Sequence, residues 1–195
     1  YNKAMRSTEA KYKVYLHQDT LMNNRDFIRE ILAVFKSNNK IGLLGLAGYK
    51  TIPPNGVWWE AGCMALYGRV MQFGSGKGRA PVNYDLCAPW YFDSEGITGG
   101  YVLVKGVDGL LMATQYDLPW REELFDGWHF YDVSQSLEFV RNGYEVGVPY
   151  QEDFWAVHAC LAPDDTIKNQ KLHTYDHYRK VFLAEYQNEL LAMNQ

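Results

Sequence analysis

Ile41-Gly42-Leu43-Leu44-Gly45-Leu46-Ala47 runs seven residues without a polar side chain. A strand with one wet face alternates polar and apolar residues. An unbroken apolar run of this length reads instead as a strand buried on both faces, the kind found in parallel or mixed sheets covered by helices on each side. The run therefore demands helices, and the chain supplies them. Asn24 to Phe35 is periodic, with Phe27 or Ile28, Ile31, Leu32 and Phe35 on one face. Val133, Leu137 and Val140 fall at i, i+4 and i+7, and Gly143 follows as a stop. His173 to Ala192 carries a stripe of Tyr175, Tyr178, Phe182, Tyr186 and Leu190. Asn2 to Ala10 reads as a shorter helix capped by Asn2.

Further strands fall between the helices. They are Lys13 to Leu16, Leu66 to Phe73, Tyr101 to Lys105, Gly109 to Thr114, Tyr144 to Val148 closed by Pro149, and one ending at His158 after Glu152. Strands alternating with helices predict an α/β fold with one central sheet, and 195 residues suit one domain, 1–195. Gly48 to Gly56 is a loop broken by Pro53-Pro54, with Trp58 and Trp59 after it. Arg79 to Thr98 reads as a long aromatic loop, a length usually tied to function or disorder. Gly74-Ser75-Gly76-Lys77-Gly78 is not a phosphate loop. Met71 stands where the first glycine belongs and Gly78 where a Ser or Thr belongs, so a hairpin tip is expected.

Charge and cysteine usage exclude several classes. With 19 basic and 23 acidic residues the net charge is −4, which argues against nucleic acid or an anionic lipid surface as partner. No apolar run approaches the roughly 18 residues of a membrane span. Cys63, Cys87 and Cys160 form neither a CxxC pair nor an even framework, so a reducing, cytoplasmic setting is expected. The chain begins with Tyr1, already in a helical pattern, which suggests that something precedes it.

Chemistry-bearing side chains gather at the ends of these elements. Asp19 follows the Lys13–Leu16 strand, Asp132 stands where a loop enters a helix, and His158 ends a strand. A hard divalent cation takes oxygen ligands and tolerates an imidazole, and Asp19 and His158 can supply one of each. Asp132 can serve as a general base if an acceptor hydroxyl comes within hydrogen-bond reach. The plainer readings stand beside these. A lone Asp at an element end usually caps or turns the chain, a lone His is usually packed in a core, and Asp126 reads as a turn residue.

The series Tyr1-Asn2-Lys3-Ala4-Met5, Val14 to Asp19, Ile41 to Gly48, Val107-Asp108-Gly109, Phe125-Asp126 and His129-Phe130-Tyr131-Asp132 resembles a branch of the family 2-like glycosyltransferases. These are inverting enzymes of GT-A fold, and the branch is similar to the StrF-type domain named from streptomycin biosynthesis. The resemblance implies a GT-A-like mixed central sheet flanked by helices, with the first strand and helix of that fold lying before Tyr1. It implies a nucleotide-sugar donor, of UDP type, a saccharide or other hydroxyl acceptor, and a divalent metal, Mn or Mg.

Position by position, the resemblance puts Asp19 at the DxD-type place, where it meets metal and diphosphate, and makes His158 the histidine that completes the metal site. Asn2 falls near the nucleoside and Asp108 beside the donor sugar and acceptor. Asp132, second residue of the ED-type motif, becomes the base. Trp58, Trp59, Trp128 and His129 become sugar contacts. Two positions depart from the pattern: Gly127 stands where relatives often have Glu, and Ser134 where they often have Asp. A non-catalytic carbohydrate- or partner-binding module on a degenerate transferase fold is the competing reading.

Overall fold

The fold is known from a computed structural model that describes residues 1–62, 65–73, 81–85, 100–159 and 165–194. In chain order the elements are α1 (Asn2–Arg6), β1 (Lys13–Leu16), β2 (Thr20–Met22), α2 (Phe27–Ser37), β3 (Ile41–Gly45), β4 (Ala47–Tyr49), β5 (Leu66–Phe73) and β6 (Pro81–Asp85). They continue with β7 (Tyr101–Val104), β8 (Gly106–Val107), β9 (Leu111–Thr114), α3 (Tyr131–Arg141), β10 (Glu145–Pro149), β11 (Ala156–His158), α4 (Asp165–Glu185) and α5 (Gln187–Met193). One turn of 3-10 helix covers Trp58–Glu60.

The fold is mixed α/β, as a GT-A-like transferase requires. One ladder has the order β1-β9-β3-β10-β7, with β3 parallel to β10 and the other pairs antiparallel. All five residues of β3 are buried. Leu43 belongs to a core shared with Val133, Leu137, Phe139 and Phe182 of the helices α3 and α4. Leu44 belongs to a second core with Ile31, Val34 and Phe35 of α2. The strand is thus sandwiched between helices, which is why its sequence does not alternate. Each fully buried leucine of this kind contributes about 1.5–3 kcal/mol.

The expected single sheet is drawn as two ladders. The second has the order β2-β11-β5-β4-β8, with β6 on β5. At two of the places where the chain changes ladder a single residue separates the strands, Leu46 between β3 and β4 and Lys105 between β7 and β8. Leaving a ladder frees backbone groups that must be paired when buried. Gln151, fully buried, meets that need: its Nε2 donates to the Leu46 carbonyl at 2.8 Å, and its Oε1 accepts from the Arg69 amide at 3.2 Å.

Several boundaries differ from the sequence-based expectation. Helix α1 ends at Arg6, and Asn2 does not cap it. Helix α2 begins at Phe27 because Asn24 closes a turn with its own side chain, Oδ1 accepting from the Asp26 amide at 2.8 Å. Its buried face is Ile31, Val34 and Phe35, with Ile28 left exposed. Strand β6 lies inside what reads as a continuous loop from Arg79 to Thr98; the rest of that loop, the Gly74–Gly78 tip and all three cysteines fall outside the described residues. The last helix starts at Asp165 and breaks at Tyr186. Gly143, at φ 79°, ends α3 as expected, with the Gly143 and Tyr144 amides returning to the carbonyls of Val140 and Phe139. Among the described residues no helix is long and apolar enough to cross a membrane.

Candidate active site

Asp132 enters the site through an unusual bend. Phe130, just before α3, adopts the left-handed region at φ 64° and is buried against Tyr175 and Phe182. A bulky residue in that region costs of order 1–3 kcal/mol and persists only where packing enforces it. The bend sets Asp132 in the first turn of α3. There its Oδ2 accepts a hydrogen bond from the Gly109 amide at 2.9 Å. Burial is the main cause that pushes the Asp132 carboxyl up from 3.8 to about 7, and the neighbouring Asp108 carboxylate adds to it. Backbone amides, Gly109 among them, pull the other way and lose. Asp108 is held by its own turn, Oδ1 accepting from the Leu110 amide at 2.8 Å.

A second cluster forms where β1 meets β2. β2 pairs antiparallel with β11, with Thr20 opposite His158, and the Ala159 amide donates to the Asp19 carbonyl at 2.9 Å. This register brings Asp19 beside His158: Nε2 of His158 lies 3.4 Å from Asp19 Oδ1. His17 completes the group, with Nδ1 at 4.0 Å from the same oxygen and its ring 5.7 Å from that of His158. One ligand atom from each of the three lies within 4.8 Å of the others, and all three residues are partly buried. Two imidazoles and a carboxylate make a donor set that a divalent transition ion accepts, and of Mn and Mg it suits Mn better.

A cleft of about 510 Å³, counting the space open to solvent, joins these parts. His17, Asp108, Tyr131 and Asp132 line it together with Trp58, Trp59, Trp128, His129 and Tyr175. Trp59 and Trp128 are 53% and 63% exposed, so each offers a ring face to solvent. Trp58 stacks on buried Tyr49 at 5.1 Å. Tyr175 backs the wall, with Trp59 at 6.0 Å and His129 edge-on at 5.2 Å. His17 also reaches towards α3: its Nε2 lies 2.5 Å from the Tyr131 hydroxyl. His17 therefore belongs both to the cleft and to the cluster with Asp19 and His158.

Of the residues expected in the site, Asp108, Asp132, Trp58, Trp59, Trp128 and His129 share the cleft, and Asp19 and His158 adjoin it through His17. Asn2 does not. Its amide is buried and bound on both sides to the Trp120 backbone, donating to the carbonyl at 2.8 Å and accepting from the amide at 2.9 Å. It fixes α1 to the Trp120 segment and does not line the cleft. Sequence reasoning missed His17 and Tyr175. His17 had a usable signal, since two residues from Asp19 at a strand end is a spacing that can bring both to one cation. Tyr175 had none: it falls on an aromatic helix stripe that reads as core, and most of that stripe is core.

The two departures from the family pattern are taken up by the last helices. A Cβ on Gly127 would lie 2.7 Å from the Tyr178 ring, and the Tyr178 hydroxyl donates to Asp126. Ser134 is buried, its Oγ 2.7 Å from the Tyr186 hydroxyl.

No curated protein gives a significant match to the chain. Residues 1–186 match the profile of a glycosyltransferase-like family. That match spans nearly every element described above, and the chain belongs to this glycosyltransferase-like family, of the family 2-like kind.

Proposed function

We propose that the protein transfers a sugar from a nucleotide-sugar donor, of UDP type, to an acceptor hydroxyl, with inversion and with the help of a divalent cation, as in the StrF-type branch. The observation that carries this reading is that one cleft holds both a carboxyl pushed up to about 7 and a histidine from a trio of side chains spaced to take a cation. An inverting displacement is helped at both ends, by a base at the attacking oxygen and by positive charge at the departing diphosphate.

The chemistry is a single displacement. The acceptor oxygen attacks the anomeric carbon of the donor, the bond from that carbon to the diphosphate breaks, and its electron pair leaves with the diphosphate. Asp132 takes the acceptor proton. A base with a pKa near the working pH combines a useful ionised fraction with enough basicity to draw the proton. The Gly109 amide holds Oδ2 of Asp132 at 2.9 Å and so fixes the carboxyl plane. His17, Asp19 and His158 would hold the cation. When bound, it supplies positive charge to offset the charge developing on the diphosphate. Trp59 and Trp128 offer exposed rings against which a pyranose can lay its apolar face, with Trp58 and His129 completing the wall. Asp108 is left to accept from sugar hydroxyls.

Asp132→Asn keeps the shape and the acceptor oxygen and removes the base. Transfer is expected to fall by at least 10²-fold, the scale of general-base catalysis, while the circular dichroism stays that of the native chain. Near-normal turnover of any donor in Asp132→Asn would remove Asp132 from the role. The competing reading, a binding module without chemistry, draws on the burial of Ser134 and the packing over Gly127. Calorimetric titration of UDP with Mn²⁺ separates the two. Binding that needs the metal and weakens in Asp19→Ala supports the transferase.

A further inference from the structure

The trio is assembled from the β1–β2 turn and the end of β11, and one member, His17, is also tied to a helix. We propose that the Tyr131 hydroxyl is the positioning group for that trio: it fixes the ring of His17 and presents Nδ1 towards Asp19 and His158. This inference rests on the reading of His17, Asp19 and His158 as cation ligands.

The geometry is specific. Tyr131 is only 7% exposed, and its ring is stacked 5.0 Å from that of Tyr1, so the hydroxyl has a fixed place. That place is 2.5 Å from His17 Nε2. It exists because residue 109 has no side chain: a Cβ on Gly109 would lie 2.2 Å from the Tyr131 hydroxyl oxygen. With Nε2–H donated to that oxygen, the neutral imidazole carries its lone pair on Nδ1, the nitrogen 4.0 Å from Asp19 Oδ1. A ligating histidine typically gives its other ring N–H to an acceptor, which sets both tautomer and orientation.

Tyr131 is also the residue before Asp132. Gly109 leaves room for its hydroxyl while donating its own amide to Asp132. One turn of α3 and one glycine therefore hold base and trio in a common register. The leaving group and the attacking hydroxyl are positioned by a single piece of backbone.

The test is Mn²⁺ binding to the full chain, read by calorimetry or by the free Mn²⁺ paramagnetic signal, with thermal melting followed in parallel. Asp19→Ala is expected to abolish binding. Tyr131→Phe, which keeps the stacked ring, is expected to weaken it by about 10–100-fold, the usual cost of losing such a partner, with an unchanged melting temperature without metal. In a His17→Ala background Tyr131→Phe should add nothing further, because the two act as a pair. Gly109→Ala, which displaces the hydroxyl by another route, should weaken Mn²⁺ as well. Wild-type affinity in a folded Tyr131→Phe or Gly109→Ala chain, with Asp19→Ala still silent, overturns the role of Tyr131 and leaves the trio standing. No Mn²⁺ binding by the wild type removes both.

Discussion

Four influences meet on the Asp132 carboxyl, two against two. The first turn of a helix and the amide bonds favour the anion, whereas burial and Asp108 disfavour it, with the net result near 7. The direction of the stability effect follows from that shift. Asp132 is protonated in the folded chain up to about 7 but ionises near 3.8 when exposed. Its contribution is full below 3.8 and declines as pH rises through 7. Asp132→Asn should therefore melt higher than wild type at pH 8 and match it near pH 3.5, a gain of about 1–2 kcal/mol. Identical melting at both pH values would contradict a raised carboxyl. For turnover, kcat/KM should climb through pH 7 to a plateau. Asp108→Asn removes a neighbouring negative charge, so the rising limb should move to lower pH whatever happens to its height. A limb that stays put would clear Asp108 of tuning the base.

At the level of elements, α3 is the hub. It carries the base at one end, packs Leu137 and Phe139 on the sheet, and is clasped by α4 and α5 through a charged network. Arg141 bridges Glu138 at 3.0 Å and Glu185 at 2.9 Å, and reaches Glu189 at 2.5 Å. Arg121 joins the same Glu185 at 3.0 Å. The Arg141 guanidinium lies 4.3 Å over the Tyr186 ring, whose hydroxyl donates to Glu138 at 2.8 Å. Isolated surface pairs contribute little, but a partly buried network with shared partners resists screening better. Arg141→Ala is expected to cost about 1–2 kcal/mol, measured by urea unfolding, with a loss that shrinks in 1 M salt. An unchanged midpoint would mean that α4 and α5 are held by their aromatic face alone. This clasp was not legible in the sequence. Val133, Leu137 and Gly143 announced the helix and its end, but Glu138, Arg141 and Glu185 look like any solvated charges until the helices are docked. The same is true of Ser134, a departure from the family pattern that proves to be a hydrogen-bond partner for Tyr186.

At the scale of the molecule, the apolar run at Ile41 was enough to read the mixed α/β layering, because a strand buried on both faces leaves few other arrangements. The split into two ladders was not, since the turning points Leu46 and Lys105 carry no local signal. The trio was half legible: Asp19 and His158 stood out at strand ends, but only the β2–β11 register brings them together. A bound cation stabilises the native chain by mass action. Mn²⁺ at a hundred times its dissociation constant should add about 2.7 kcal/mol and raise the melting temperature by roughly 5–10 °C, an increase that EDTA reverses and Asp19→Ala lacks. No change in melting on adding Mn²⁺ would argue against the trio as a cation site.

The two strands that cross between ladders carry a mechanical meaning. Because β3 runs into β4 and β7 into β8 with one residue between, the two ladders share continuous main chain at these two points, with no linker long enough to act as a hinge there. The aromatic rim belongs to the same frame, with the half-exposed Trp59 resting against Tyr175 at 6.0 Å.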